Sequence, residues 1–425
     1  MDRSKFLGIL ATVASVGFIL GVSITIIAYG RGYRWDIKNR SLGTNGLITA
    51  TSDPVGATVF IDGTKRTATN TNLVMTPGWY TVTIAKAGYQ PWEKRVRVQG
   101  EVVTRVDAML FSGNPSLFAL STTGVLSPVL SPDGSKLVFI VPDEETNGTN
   151  QGETTGRAGI WVLDLEDKPL AMNRDPRQIV KKDVLDSTNA TISWSPDSKQ
   201  VLVKTQWLQT YLLDADRTND LPRLVADLAV LENDWKKQEE EKKHGMLTAL
   251  KGDLQAVATT SMNIIAFSPD ETKILYEATA AAMIMPIINP ALIGTNTTEE
   301  VRDIKPGTLY VYDVKEDRNY FIIDSKTLRQ EDNKTKTVLP SNSGASLAVL
   351  SSPIQWLPSS RHLLLTGKDK VEVMDYDATN RKTVYAGPFW DGFVAPWSNA
   401  GRIVVLTNLN PGVSSVNNLY AVNIR

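Results

Sequence analysis

The stretch WSPDSKQVLVK, residues 194–204, recurs in variant form four more times along this chain. Each copy has a large apolar residue, then a turn of the Ser-Pro-Asp type, then a strand with consecutive apolar residues. Proline fixes φ at the second position of such a turn, and aspartate can accept hydrogen bonds from the backbone. The other copies are LSPDGSKLVFI from Leu130, FSPDETKILYE from Phe267, WLPSSRHLLLT from Trp356 and WSNAGRIVVLT from Trp397.

A partner strand follows each copy. Consecutive apolar residues in the strands indicate sheets that are covered on both faces, as in a β-propeller, where each blade packs between two others. We therefore predict a propeller over residues 112–425 with five recognisable blades, or six if residues 112–129 supply another. The Ser-Pro-Asp blades resemble the propellers of the TolB family, and more loosely WD-repeat blades. The partner strands end at Asp164, Asp214, Asp313, Asp375 and Asn423.

The spacing of the repeats shows where the blades carry extra chain. If the strands of a blade are called a to d, the first, third and fifth copies are longer between strands b and c. Antiparallel strands alternate in direction, so the b–c loops and the d–a connections leave a blade at one end, here called the loop-rich end. Binding sites usually lie on variable loops of a rigid scaffold, and we expect the functional site there.

Two insertions stand out at the loop-rich end. Residues 226–258 have apolar residues at helical spacing, which predicts a helical hairpin that breaks at Lys243-His244-Gly245. Residues 278–308 form an apolar loop whose prolines argue against a helix. This loop either buries itself or forms a docking surface for a protein partner or the membrane interface. The candidate partner-binding residues are Trp235, Met283, Ile284, Met285, Ile287, Ile288 and Trp390.

Residues 6–29 form an uncharged apolar run. As a helix, the run would measure roughly 36 Å, enough to cross a hydrocarbon core of about 30 Å. It is longer than the apolar core of a secretory signal, and no Ala-x-Ala site closes it. We therefore expect residues 1–30 to be a short cytoplasmic tail and a single-pass transmembrane anchor.

Positive residues flank both ends of this run. Counting Lys and Arg alone would leave the C-terminal side in the cytoplasm. The predicted domain architecture favours the opposite orientation, and we expect the C-terminal domains to be extracytoplasmic. The flanking residues are Arg3 and Lys5 before the run, and Arg31, Arg34, Lys38 and Arg40 after it.

Residues 31–45 are expected to be a linker, and residues 46–111 alternate as the strands of a small β-sandwich do. Their motifs resemble the PEGA domain, which implies a spacer or surface-attachment module without known catalysis. Val55 replaces the glutamate of the motif, and the usual Gly-x-Thr-Pro turn is missing. The matching residues are Ser52, Pro54, Gly56, Ala57, Asp62-Gly63, Pro77-Gly78-Trp79-Tyr80 and Gly88-Tyr89.

The composition excludes several kinds of chemistry. The chain has no cysteine and two histidines, which excludes disulfides, thiolate metal sites and His-rich metal centres. A net charge of −1 gives no support to a nucleic-acid partner. No Gly-x-Ser-x-Gly elbow or phosphate-binding loop occurs. We expect His362, which opens a repeat strand, to be a surface or loop residue, and Asp133, Asp197 and Asp270 to be turn formers.

These observations predict a non-enzymatic envelope protein without a cofactor or metal. Its propeller would bind a protein, peptide or surface polymer at the loop-rich end, and the PEGA-like domain would act as spacer or attachment module. The resemblance to TolB implies protein–protein contact near the envelope, by analogy of fold. The alternative is a carbohydrate-active enzyme, a glycoside hydrolase or lyase, with two carboxylates in the propeller channel.

Overall fold

The structure is a computed structural model that describes residues 3–30, 33–36, 41–143, 156–166, 175–331, 353–390, 392–411 and 416–425. Within these ranges the chain is mainly β. It divides into two compact units, Met1–Leu110 with Pro290–Thr298, and Phe111–Asn289 with Glu299–Arg425. The segment Pro290–Thr298, predicted as part of the propeller insertion, thus groups with the first unit.

The chain begins with helix α1 (Arg3–Gly30). Among the described residues, no helix combines the length and the apolar character that crossing a membrane requires. The predicted transmembrane anchor is therefore not supported, although the predicted helix is present. Strands β1 (Tyr33–Asp36) and β2 (Ser41–Thr44) pair antiparallel within the segment that was expected to be a plain linker.

The rest of the first unit contains two sheets. In one, β3 lies between β6, antiparallel to it, and β9, parallel to it; the other has the order β5-β4-β7-β8. Apolar residues that alternate along the strands, among them Ile48, Val59 and Ile84, are fully buried and form one core. The strands are β3 (Gly46–Asp53), β4 (Thr58–Ile61), β5 (Thr64–Ala68), β6 (Thr71–Met75), β7 (Gly78–Ala85), β8 (Trp92–Val98) and β9 (Val103–Met109).

The buried hydroxyl of Thr69 organises the first motif of this domain. Its Oγ1 accepts hydrogen bonds from the backbone N–H groups of Gly56 and Ala57, both at 3.1 Å, and lies 2.7 Å from Ser52 Oγ. Gly56 has φ +79°, a conformation that side chains rarely adopt. One tight turn therefore accounts for Ser52, Gly56 and Ala57 in this motif.

The second unit contains five four-stranded antiparallel sheets, called blades 1 to 5 in chain order of their a strands. Blades 1 to 4 use β11–β14, β15–β18, β19-β20-β23-β24 and β25–β28, and blade 5 uses β29–β31 with β10. The strands of blades 1 and 2 are β11 (Leu126–Leu130), β12 (Lys136–Val141), β13 (Gly159–Asp164), β14 (Arg177–Lys181), β15 (Thr191–Trp194), β16 (Gln200–Lys204), β17 (Thr210–Asp214) and β18 (Arg223–Leu224). Those of blade 3 are β19 (Met262–Phe267), β20 (Lys273–Ala278), β23 (Thr308–Asp313) and β24 (Arg318–Asp324). Those of blades 4 and 5 are β25 (Ile354–Trp356), β26 (His362–Thr366), β27 (Lys370–Asp375), β28 (Lys382–Ala386), β29 (Val394–Pro396), β30 (Arg402–Thr407), β31 (Asn418–Asn423) and β10 (Ser116–Ala119).

The two ends of the second unit meet in blade 5. Strand β10 pairs antiparallel with β31, from Ser116 opposite Asn423 to Ala119 opposite Tyr420. Residues 112–129, the proposed source of a sixth blade, are instead divided between blade 5 and strand β11 of blade 1. The predicted propeller is confirmed for its five blades and this strand pairing, while complete closure of the ring is not shown.

Apolar cores join neighbouring blades. Blades 1 and 2 share one buried cluster that includes Val138 and Trp194. Blades 5 and 1 share another, which includes Trp397 and Leu137, and blades 3 and 4 share a third. The consecutive apolar residues of the b strands are buried because each face of the strand packs on a different neighbour.

The repeated turn has one geometry in the three copies that keep the aspartate. The serine hydroxyl donates to the aspartate Oδ1 at 2.6–2.7 Å in Ser131–Asp133, Ser195–Asp197 and Ser268–Asp270. The next residue is in the left-handed region in every blade, so Gly134 (φ +72°) fits without strain. The other left-handed residues are Ser198, Glu271, Ser360 and Ala400, with φ of 54–60°.

Hydrogen bonding corrects the alignment of the fifth copy by one residue. Ala400 N donates to Trp397 O, as Gly134 N donates to Ser131 O. Trp397 therefore occupies the serine position of the turn, and not the apolar position that ends strand a. It is nevertheless buried, with 1% of its surface exposed. Asn399 takes the place of the aspartate and accepts a hydrogen bond from Gly401 N at 2.7 Å.

The helical insertion follows blade 2 as α2 (Leu228–Thr248) and α3 (Asp253–Ser261). The Asp227 side chain caps α2 by accepting from Val230 N. The predicted break at Lys243-His244-Gly245 is wrong, because α2 continues through it to Thr248. The chain turns only at Gly252, which has φ +60°, so the charged run lies along α2 and not at a hairpin tip.

The turn aspartates predict a pH dependence of stability. Burial alone would raise the pKa of Asp270, but hydrogen bonds from Ser268 and Thr272 outweigh it and lower the pKa to about 2, from an ordinary 3.8. A lowered folded-state pKa gives stability that is present above about pH 4 and is lost as the pH falls toward 2. We expect Asp270→Asn, which keeps an acceptor oxygen, to lose less stability than the natural chain over this range.

Urea unfolding between pH 5 and pH 2, followed by circular dichroism, would measure this difference. Glu271→Gln removes the neighbouring exposed carboxylate and serves as the matched control. If the natural chain and Asp270→Asn lose stability in parallel over this pH range, the turn carboxylate does not contribute as described.

Candidate functional site

A pocket of about 630 Å³ opens at the loop-rich end of blades 1, 2 and 5. It lies where their a strands begin, near Leu126, Ala190 and Phe393, and where the b strands of blades 1 and 5 end, at Val141 and Leu406. Because the antiparallel blades bring these strand ends together, residues far apart in the chain line one cavity. We call it the central pocket.

The central pocket has an apolar floor and two exposed apolar residues among its lining. Val125, Phe393 and Leu406 belong to the buried cluster that joins blades 5 and 1. Trp390 and Leu126, by contrast, are 56% and 50% exposed. Exposed apolar side chains that border a cavity are a common feature of ligand-binding grooves.

Uncharged polar side chains complete the lining. Ser127, Asn189 and Asn417 line the pocket, and their side chains make no hydrogen bond to another described residue. Ser127 and Asn189 both have positive φ, 48° and 54°. Their hydroxyl and amide groups are thus available to a ligand, and they can both donate and accept hydrogen bonds.

One ion pair lies among the lining residues. Lys182 Nζ is 2.7 Å from Asp143 Oδ2, and both side chains are partly exposed. The hydrogen bond that Lys182 donates to Asp143 raises the pKa of Lys182. Asp143 is the one carboxylate among the described residues that line the pocket. The lining described therefore does not provide the two carboxylates that a glycoside hydrolase uses.

The structure separates the predicted site residues. Trp390 lines the central pocket, whereas Trp235 lies on α2, half-buried. The apolar loop contains a short strand pair, β21 (Ala282–Met283) with β22 (Asp303–Ile304). Alternation along this segment buries Ile284 completely and leaves Met283 and Met285 more than half exposed. Ile287 and Ile288 are half-buried.

A buried carboxylate holds the apolar loop against blade 3. Asp317 Oδ2 accepts hydrogen bonds from Ile287 N at 2.6 Å and Ile288 N at 2.8 Å. Its Oδ1 accepts from Tyr312 Oη at 2.6 Å and lies 3.3 Å from Arg302 Nη1. Burial would raise the pKa of Asp317, but these donors outweigh it and lower the pKa. The first part of the loop is therefore anchored, as the self-burying alternative predicts.

His362 is not the surface residue that we expected. It lies on β26, 3% exposed, with Nδ1 2.9 Å from Ser359 Oγ and Nε2 3.4 Å from Asp375 Oδ1. The repeat explains this arrangement. His362 opposes Asp375 across the strands as Lys273 opposes Asp313 in blade 3, and Ser359 occupies the place of the turn aspartate. In a Ser-His-Asp hydrolase the two contacts are exchanged, with the serine at Nε2 and the aspartate at Nδ1.

Among the described residues, no group of three or more His, Asp or Glu side chains is placed to hold a metal ion. Most of the central pocket is not predictable from the sequence. Leu126, Asn189 and Asn417 have no local pattern that marks them, because only the packing of three blades brings them together. The exposed pair Trp207 and Leu208 was not predicted either, although the stretch TQWLQT, residues 205–210, has two apolar residues among polar ones.

Comparison with known proteins supports part of this description. A family profile for the PEGA domain matches residues 45–113. A search of curated proteins found no match to this chain.

Three solved structures are similar to the chain at low levels. A protein described as TolB from Agrobacterium tumefaciens has 13% identity and a TM-score of 0.21, over 69% of this chain and 78% of its own. TolB from Acinetobacter baumannii has 13% identity and a TM-score of 0.20, and the match covers 81% of this chain and 59% of that one. An oligogalacturonate lyase from Vibrio parahaemolyticus has 9% identity and a TM-score of 0.29, and the match covers 73% of this chain and 94% of that one. At these scores the likeness adds nothing about function. Over residues 45–113, the predicted resemblance to the PEGA domain is confirmed.

The Asp317 cluster predicts a loss of stability on mutation. Asp317→Ala would leave two backbone N–H groups, Tyr312 and Arg302 without their buried acceptor. We expect a loss of about 2–4 kcal/mol in the free energy of unfolding, measured by urea denaturation. Faster proteolysis within residues 278–289 should accompany it, because the loop loses its anchor.

Asp303→Ala is the matched control, since Asp303 is an exposed carboxylate on β22 of the same insertion. It should change stability by less than about 0.5 kcal/mol. Equal effects of the two substitutions would contradict the anchoring role of Asp317.

Proposed function

We propose that the second unit is a protein-binding module that holds a peptide segment of a partner in the central pocket. The observation that carries this proposal is the combination of an apolar floor, two exposed apolar residues and three uncharged polar side chains without a hydrogen-bond partner among the described residues. An apolar side chain of the peptide would occupy the floor. The polar groups of Ser127, Asn189 and Asn417 would bond to its backbone.

The lining favours a peptide over a surface polymer. Trp390 could stack on a sugar ring, but Leu126 offers an aliphatic surface at the same site, which suits an apolar side chain better than hydroxyl groups. Asp143 and Lys182 neutralise each other, so the pocket does not select a charged polymer. With one described carboxylate in the lining, no observation favours the carbohydrate-active enzyme.

The PEGA-like unit completes the proposal. As a compact module without a described metal or nucleophile cluster, it would serve as spacer or attachment module for the binding unit. The match to the PEGA domain supports a location in the cell envelope, with the C-terminal domains extracytoplasmic. The exposed Trp79, against which Arg95 stacks at 5.0 Å, offers one surface for attachment.

A displayed library of random dodecapeptides, selected on the full chain, would test peptide binding. We expect enriched peptides that bind in the micromolar range and lose at least about tenfold in affinity to Trp390→Ser, because an exposed interface tryptophan commonly contributes more than about 1.4 kcal/mol. Isothermal titration calorimetry measures both affinities. Thermal melting would first establish that the variant is folded.

Trp79→Ser is the matched control, since Trp79 is also about half exposed but lies in the first unit. It should leave peptide affinity unchanged. If no peptide is enriched, or if the enriched peptides bind Trp390→Ser as tightly as the natural chain, the proposal is wrong. Binding of neutral oligosaccharides in place of peptides would overturn it in favour of a polymer ligand.

A further inference from the structure

A hairpin tip at the loop-rich end of blade 2 exposes two large apolar side chains. The tip is the short connection between β16 and β17, residues 205–209. Trp207 and Leu208 are 72% and 93% exposed. The b–c connections of blades 1, 3 and 5 are longer and only that of blade 4 is shorter, so blade 2 presents its apolar pair on a short hairpin connection.

The backbone of this tip is held in place. Thr205 N donates to Gln209 O at 2.9 Å, and Leu208 N donates to Thr205 O at 3.0 Å. The Thr205 hydroxyl also donates to Gln209 O at 3.1 Å. Leu208 has φ +62°, a conformation that Gly or Asn adopts more readily than a branched residue. These hydrogen bonds fix the turn and keep the Trp207 and Leu208 side chains exposed.

The tip lies beside the central pocket. Strands β15 and β16 pair with Thr191 opposite Lys204, so Ala190, which precedes β15, is next to Thr205, which follows β16. Ala190 and Asn189 line the pocket. The blade 2 wall of the pocket is therefore one strand spacing, about 4.8 Å, from the base of the tip.

Resting on the proposed function, we infer that the central pocket and the Trp207–Leu208 tip form one site for an extended peptide segment with two apolar anchors. One anchor would enter the pocket beside Trp390 and Leu126. The other would contact Trp207 and Leu208 after the segment crosses the blade 2 wall. The polar residues between the two apolar contacts, Asn189 above all, would bond to the intervening peptide backbone.

The distance between the contacts sets a lower limit on the spacing of the anchors. The base of the tip is one strand spacing, about 4.8 Å, from the blade 2 wall of the pocket. An extended chain rises about 3.3 Å per residue, so the anchors should be at least about two residues apart. The two contacts carry no unpaired charge among the described residues, so the segment needs apolar anchors and not a particular net charge.

The peptides selected on the natural chain provide the test. We expect the enriched sequences to share two apolar positions at least about two residues apart. The double variant Trp207→Ser/Leu208→Ser should bind them at least about tenfold more weakly. A truncated peptide that keeps only the pocket anchor should bind the double variant and the natural chain equally.

Leu221→Ser is the matched control, because Leu221 is also 93% exposed but lies on the opposite, turn-bearing end of blade 2. It should leave both affinities unchanged. The complementary measurement keeps the natural chain and replaces the second peptide anchor by serine, which should cost a similar factor. This second measurement holds even if the double variant does not fold.

The outcomes separate the two proposals. Peptides with a single apolar anchor, weakened by Trp390→Ser and unaffected by the change at Trp207 and Leu208, would overturn the two-anchor site and leave the proposed function standing. Peptides indifferent to all three residues would overturn both. Equal losses with the double variant and with Leu221→Ser would also overturn the two-anchor site, since they would show a general effect of surface apolarity.

Discussion

The left-handed turn between the first two strands of every blade is the constraint on which the second unit depends. It requires a residue with φ near +60° at a fixed position, and in three blades the preceding serine and aspartate supply hydrogen bonds that hold it there. The turn is tight and reverses the chain at one end of the blade. The longest connections, residues 142–158, 225–261, 279–307 and 325–353, leave from the other end, where the candidate site also lies.

The repeat also explains features that resemble chemistry. The Ser359–His362–Asp375 geometry contains the three residue types of a hydrolase triad. It arises because a serine replaces the turn aspartate and a histidine replaces the basic residue that opposes the last acid of strand c. Asn399 makes a similar substitution in blade 5. The blades therefore tolerate different side chains as long as an acceptor caps the turn.

The central pocket and the hairpin tip show how a regular scaffold produces an irregular surface. The apolar floor of the pocket continues the cluster that joins blades 5 and 1, whereas Trp207 and Leu208 lie outside the described clusters on a short connection. The apolar insertion of blade 3 behaves differently. Its backbone is fixed by Asp317, and Ile284 enters the core, so only its alternate side chains, Met283 and Met285, stay exposed. The proposed recognition at this end of the blades therefore rests on connections that are both fixed and open.

The sequence by itself determined the elements and their order. Short-range rules were sufficient for the Ser-Pro-Asp turns, the partner strands that end at Asp164 or Asp313, and the alternation of the PEGA-like strands, because each depends on residues within one or two turns of chain. They were also sufficient to place the insertions at one end. Local pattern was less reliable at Lys243-His244-Gly245, where the glycine was not enough to end a helix.

Only the tertiary structure decided which residues form the site. Leu126, Asn189 and Asn417 come from three different blades, and nothing in their local sequence marks them. Trp390 is the one residue of the central pocket that the sequence predicted. The burial of His362 and Ile284 likewise depends on neighbours that are distant in the chain. Pairing between strands and packing between blades are long-range interactions, and a pattern read along one segment does not contain them.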